Sequence, residues 1–168
     1  MNIDLSHSLF GPQNILSQIA FTPLSDHLLF GSVQGDFGVS QLETANSVVL
    51  HNLGETIHQV KVPNDGVICA FSGRNQLSVY DLVKQSPFFA QSFQNLTCLD
   101  FAPTAGTLII GDQSGNLNFL DLRQKKVASQ IKGSNHGIEQ LSIHPFNDLL
   151  MVGDSQGVLK VLLFRIIL

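Results

Sequence analysis

LTCLDFAPTAGTLIIGDQSGNLNFLDLRQKKVASQI, residues 96–131, reads as one antiparallel unit. Leu96 to Pro103 alternates apolar and polar side chains, as a strand with one buried face does. Thr104-Ala105-Gly106 turns the chain, and Thr107-Leu108-Ile109-Ile110 is a short continuous apolar run, suited to a strand covered on both faces. Gln113-Ser114-Gly115-Asn116 is a hairpin turn in which Gly115 is free to take positive φ. Leu117 to Leu122 is a third strand, Arg123 to Lys126 a polar connection and Val127 to Ile131 a weak outer strand.

The unit recurs along the 168 residues. Pro23, Pro63, Pro103 and Pro145 stand 40, 40 and 42 positions apart, and Gly35, Asn75, Gly115 and Gly157 keep the same steps. Gln41, Asp81, Asp121 and Leu163 follow each of those by six. A period of about 40–45 marks a propeller blade, one four-stranded sheet per repeat. The fold class expected is therefore all-β, an incomplete β-propeller of about four blades near residues 14–53, 54–94, 95–133 and 134–168, forming a single segment over 1–168. The fourth unit repeats the third closely, with Ile138 to Pro145 as its inner strand, Leu149 to Val152 as its buried one and Leu159 to Leu162 as its third. The second unit is the most worn: its inner strand, Ile57 to Pro63, is one residue out of step, and Asn75 replaces the turn glycine. Asn is the side chain that best tolerates the left-handed region after Gly, so the turn is expected to survive on Asn75. Phe101, Ile109, Phe119, Leu141, Leu150 and Val161 are the expected core. After Leu162 only six residues remain, too few for an outer strand. Residues 1–10, with Ile3 and Leu5 on one face, could supply it if the ends met; otherwise the end blades leave apolar faces open for another chain or a continuation of this one.

The units resemble the WD40 repeat family over nearly the whole chain. Phe101-Ala102-Pro103, Gly111 to Gly115 and Phe119-Leu120-Asp121 carry the likeness, with counterparts at His136, His144-Pro145, Gly153 and Gly157. There is no Trp, and its place is held by Ser40, Tyr80, Leu120 and Leu162. Only His136 matches the family's His, so the His, Ser/Thr, Trp and Asp hydrogen-bond network that the resemblance implies is not expected. A narrower stretch, Asn118 to Gln124 followed by Gly153 to Val161, is similar to the C-terminal propeller of DmX-like (rabconnectin-type) proteins. That likeness implies a role in regulating the vacuolar proton-pumping ATPase.

Composition sets limits on function. Apolar residues make up 43% and charged residues 13%, well below the usual quarter. Nine Lys and Arg against thirteen Asp and Glu give a net charge of −4, with no basic run, which argues against nucleic acid as a partner. Cys69 and Cys98 both lie in apolar strands, which suits a reducing interior. The first ten residues lack the charge and apolar run of a signal peptide, and the tail from Leu159 is too short and too interrupted to span a bilayer. Those features point to a cytoplasmic protein, with the nucleus also open, and to no membrane insertion. The six His show no metal-ligand spacing, no GxSxG elbow occurs, and GDQSG at 111–115 is followed by no helix that could cradle phosphate. No cofactor, metal or catalytic residue is expected, and enzymatic activity remains a minority reading.

The loops between second and third strands, and those linking one blade to the next, gather on one face of a propeller. They carry Gln34, Asp36, Arg74, Asp112, Gln113, Asn116, His136, Asp154 and Gln156 as candidate partner-binding residues, with Arg74 first, His136 second and Gln113 third. The expected function is a non-catalytic scaffold or adaptor for protein partners, within a larger assembly. The alternative is an obligate structural subunit whose open propeller is completed by a partner chain at its exposed end blades.

Overall fold

The computed structural model describes residues 14–23, 27–44, 46–103, 106–146 and 149–164. Fifteen strands and no helix occur among them. β1 (Leu16–Phe21), β2 (His27–Ser32), β3 (Asp36–Gln41) and β4 (Ser47–Asn52) form the first sheet. The second holds β5 (Gln59–Lys61), β6 (Ile68–Ser72), β7 (Gln76–Asp81) and β8 (Ser86–Ser92). The third holds β9 (Leu96–Phe101), β10 (Thr107–Asp112), β11 (Asn116–Asp121) and β12 (Lys126–Lys132). The last has three strands among the described residues: β13 (Ile138–Ile143), β14 (Leu149–Asp154) and β15 (Leu159–Leu163). Within each sheet every strand pairs antiparallel with the next in sequence, and among the described residues no pairing joins one sheet to another.

Three apolar clusters lie between consecutive sheets. The first joins Leu29 and Phe37 to Ile57, Val60, Cys69, Phe71 and Tyr80, with the Phe37 and Phe71 rings stacked at 4.1 Å and 7°. The second joins Ala70, Leu77 and Val79 to Leu99, Leu108, Ile110 and Leu120. The third joins Cys98, Ile109 and Leu117 to Ile138, Leu141, Ile143, Leu150 and Val152. Middle strands such as β6 and β10 are therefore covered on both faces, which explains their unbroken apolar runs. Glycine at 111 makes the close approach possible: a Cβ there would meet Cys98 Sγ at 2.6 Å and Ile138 Cγ2 at 2.9 Å. Inner strands are also tied across sheets, by Ser17 Oγ donating to Ile57 O (2.6 Å), Leu99 N–H to Gln59 Oε1 (2.9 Å) and Ile143 N–H to Asp100 Oδ2 (3.0 Å).

All-β architecture in propeller-type sheets thus agrees with the sequence. Ile109, Leu141 and Leu150 are buried as expected, and Phe101 and Phe119 are partly buried against the clusters. Val161 corrects the expected core: it is 59% exposed. It pairs with Met151 on the face of the last sheet that no described sheet covers, together with the exposed Leu159 and Leu163. Leu16, Ile19 and Phe21 are likewise exposed on β1. The array is an incomplete propeller. The strand suggested for residues 1–10, the Thr104-Ala105 part of the turn and the last four residues fall outside the described residues.

The wear in the second unit also differs from expectation. Gly111 pairs with Leu117, whereas Ser72 pairs with Leu77, so the β6–β7 hairpin is one residue shorter than β10–β11. Asn75 does not take positive φ. Losing one residue removes the left-handed position altogether, and the turn is held from outside itself.

Candidate functional site

Antiparallel order places the β2–β3, β6–β7, β10–β11 and β14–β15 turns at one end of the array, together with the connections from each outer strand to the next inner strand. The backbone of that end is fixed by buried acceptors. Asp112 accepts the Asn116 N–H at 2.9 Å and its Nδ2 at 3.0 Å. Asp154 accepts the Val158 N–H at 2.9 Å, the Gln156 N–H at 3.0 Å and the Ser134 hydroxyl at 2.5 Å. These donors, Ser134 foremost, hold the Asp154 carboxyl below the usual carboxylate range. Both carboxylates are buried and serve the turns rather than facing outward. Asp36 is half-buried and accepts Asn52 Nδ2 at 2.7 Å, and it also bonds the Asn14 amide. Asn116 is half-buried against Asp112.

The remaining candidates point outward. Gln34, Arg74, Gln113 and Gln156, one from each sheet's turn, and His136 from the connection into the fourth sheet are exposed, with Asn135 and Asn75 exposed beside them. Arg74 takes part in neither of the two ion pairs among the described residues, Lys61–Asp100 and Lys84–Asp81. Gly115 brings the His136 connection against the β10–β11 turn, since a Cβ would meet Ser134 O at 2.3 Å and His136 O at 2.5 Å, and its φ is +86°. His136 and Gln113 are thereby drawn to one patch, reinforced by Gly137, where a Cβ would meet Gln113 O at 2.8 Å.

Two residues that sequence reasoning missed build this end. Glu55, on the connection into the second sheet, accepts the N–H groups of Asn75 (2.8 Å) and Gln76 (2.7 Å) and so replaces the missing acceptor of the shortened turn that displays Arg74. Ser134, on the connection into the fourth sheet, instead donates its hydroxyl to Asp154. Each stands 20 residues before its partner, Glu55 to Asn75 and Ser134 to Asp154. That repeated spacing was the available signal.

No cluster of three His, Cys, Asp or Glu occurs among the described residues. Burial pushes the Cys98 thiol up to about 11 and raises Cys69 further, so neither is a thiolate at neutral pH. No described helix is long and apolar enough to cross a membrane.

No family model matches the chain. It is 21% identical over 160 residues to human WD repeat-containing protein 46, covering 95% of this chain, and 26% identical over 104 residues to mouse WD repeat-containing protein 74, covering 60%. The chain spans about a quarter of the length of these curated relatives, 26% and 27%. Among solved structures it resembles U3-55K (TM-score 0.81, 10% identity, 93% of this chain and 51% of that one) and the RRP9 WD40 repeats (0.79, 10%, 91% and 49%). The computationally designed Ika4 protein matches over 94% of this chain and 96% of its own, at TM-score 0.79 and 16% identity. None of these relatives is a DmX-like protein, so the link to the vacuolar proton pump rests on residues 118–124 and 153–161 alone. Without Trp, and worn at its second blade, the chain is a WD40-like β-propeller segment.

Proposed function

We propose that the chain is a non-catalytic protein-interaction scaffold whose partner docks on the end that displays Arg74, Gln113, His136, Gln34 and Gln156. One observation carries this reading. The turns there have their backbone fixed by the buried or half-buried acceptors Asp112, Asp154 and Glu55, while the neighbouring long polar side chains are left exposed. A rigid frame with free Arg, His and amide groups binds at little cost in backbone ordering. The partner is a protein or peptide: the surface mixes one Arg and one His with amides, and the chain as a whole is acidic. The test is a pull-down comparing the native chain with the triple variant Arg74→Ala, Gln113→Ala, His136→Ala. Loss of specific partners in the triple variant, with an unchanged melting midpoint, supports the reading; an unchanged partner set removes it.

A second reading has its own observation. Met151, Leu159, Val161 and Leu163 form an uncovered apolar face on the last sheet. A further blade, from a partner chain or a longer form of this one, would cover it. Leu159→Lys should then abolish that association and leave partners of the turn-bearing end in place.

A further inference from the structure

A cavity of about 280 Å³ lies between the first two sheets, at the end opposite the candidate interface, where the β7–β8 turn and the ends of β1 and β2 meet. Leu29, Val39 and Leu50 line it from the first sheet, and Leu82, Val83 and Gln85 from the second. Thr22, Gly66 and His27 also line it, and His27 is the sole titratable group among the described lining residues.

Aromatic rings pack near the corresponding end of the other two sheet-to-sheet interfaces, from different strands in each. Between the second and third sheets, Phe88 and Phe89 of β8 pack against the cluster. Lys125 seals them, its Nζ 4.4 Å from the centroid of the Phe88 ring and donating to Phe88 O at 2.8 Å. Between the third and fourth, Phe119 and Phe164 meet with ring centroids 6.3 Å apart. The first interface has smaller groups at each of these aromatic positions, and at the Phe119 and Phe164 positions it matches Val79 and Leu122 of the second. Val39 stands where the third sheet has Phe119, Leu82 where the fourth unit has Phe164, and Val48 and Val49, both exposed, where the second has Phe88 and Phe89. Gln85 holds the turn position of Lys125, with φ of 51° against 54°. The first interface spends its aromatic mass, Phe37, Phe71 and Tyr80, on the buried part of the cluster instead.

We propose that this cavity is a binding site for a neutral aromatic side chain, Phe or Tyr, presented by a partner peptide. The siblings show what the slot accommodates: one or two aromatic rings between aliphatic walls. The volume suits one, since a dry apolar cavity of about 150 Å³ already takes a benzene. The described lining carries no carboxylate or ammonium, which disfavours a charged group there. Gln85 and His27 at the cavity offer polar side chains for the peptide backbone around the inserted ring. The site is separate from the turn-bearing end and does not depend on the function proposed for it.

The test is methyl NMR of the full chain, titrated with N-acetyl-phenylalaninamide, N-acetyl-alaninamide and benzene. Saturable shifts confined to the methyls of Leu29, Val39, Leu50, Leu82 and Val83 are expected with the phenylalanine amide and not with the alanine amide. Val39→Phe, which copies Phe119, should weaken that binding by about tenfold or more while keeping the fold. Leu82→Phe, which copies Phe164, gives the same readout if the first variant does not fold. Three results would overturn the proposal: no saturable shift with the phenylalanine amide, equal shifts with the alanine amide, or undiminished binding in the filled variants. Benzene shifting these methyls while the phenylalanine amide does not would also overturn it, since the cavity would then be closed to a peptide.

Discussion

Strands β10 and β14 occupy the same place in consecutive sheets and have opposite surroundings. On β10, Ile109 is fully buried against the fourth sheet; the corresponding residue of β14, Met151, is 45% exposed. On the third strands, Leu117 is fully buried and Leu159 is 68% exposed. Gly111 has Ile138 pressed against it, whereas a Cβ at Gly153 would meet only Gln140, at 3.9 Å or more. What differs, among the described residues, is whether a further sheet lies against the strand. Residue type follows one repeat along the whole chain, while burial is decided by neighbours, so the open face keeps the apolar character of an interface without being one.

The largest difference should come from truncation on the two strands. Ile109→Ala is expected to cost about 2–5 kcal/mol, and Met151→Ala about 0.5 kcal/mol or less. Chemical denaturation checks both; comparable losses would mean that the last sheet is covered. The glycine pair sharpens the same contrast at smaller amplitude. Gly111→Ala has to displace Cys98 Sγ and Ile138, and a cost of about 1–3 kcal/mol is expected. Gly153→Ala has room, and its melting midpoint should stay level or rise, because alanine restricts the unfolded chain.

Such contrasts show what could be read from the sequence. The blade period, the continuous apolar run at Thr107–Ile110 and the turn glycines at 35, 115 and 157 are local signals, and the corresponding strands and positive-φ glycines are found. Val161 shares the pattern of partly buried Phe119, and a pattern does not reveal a missing neighbour. At the candidate site, the exposed side chains of Arg74, Gln113 and His136 were legible as turn chemistry. Glu55 was not, since it acts on the Asn75 and Gln76 N–H groups 20 residues on, and only the three-dimensional turn shows that Asn75 is not left-handed. The cavity was invisible for a related reason: Val39 and Leu82 look like any core residues until they are set beside Phe119 and Phe164.

A subtler separation is expected in acid. Ser134 and two turn N–H groups depress the Asp154 carboxyl in the folded state. A depressed folded value means that this stabilisation is complete above the ordinary carboxylate range and is lost as pH falls through the folded value. Asp154→Asn should therefore lower stability at neutral pH and flatten its decline in acid. Acid titration of the melting midpoint reads this, and an unchanged acid slope would mean that the Ser134–Asp154 bond does not form.

The open last face is tested most directly through Met151, the one methionine besides Met1. Its oxidation by peroxide, followed by mass spectrometry in the purified chain, should proceed at a rate close to that of the same residue in the denatured chain. It should slow when a covering partner or further blade is added. Strong protection of Met151 in a chain shown by light scattering to be a monomer would contradict the account, because the face would then be sealed by the chain itself.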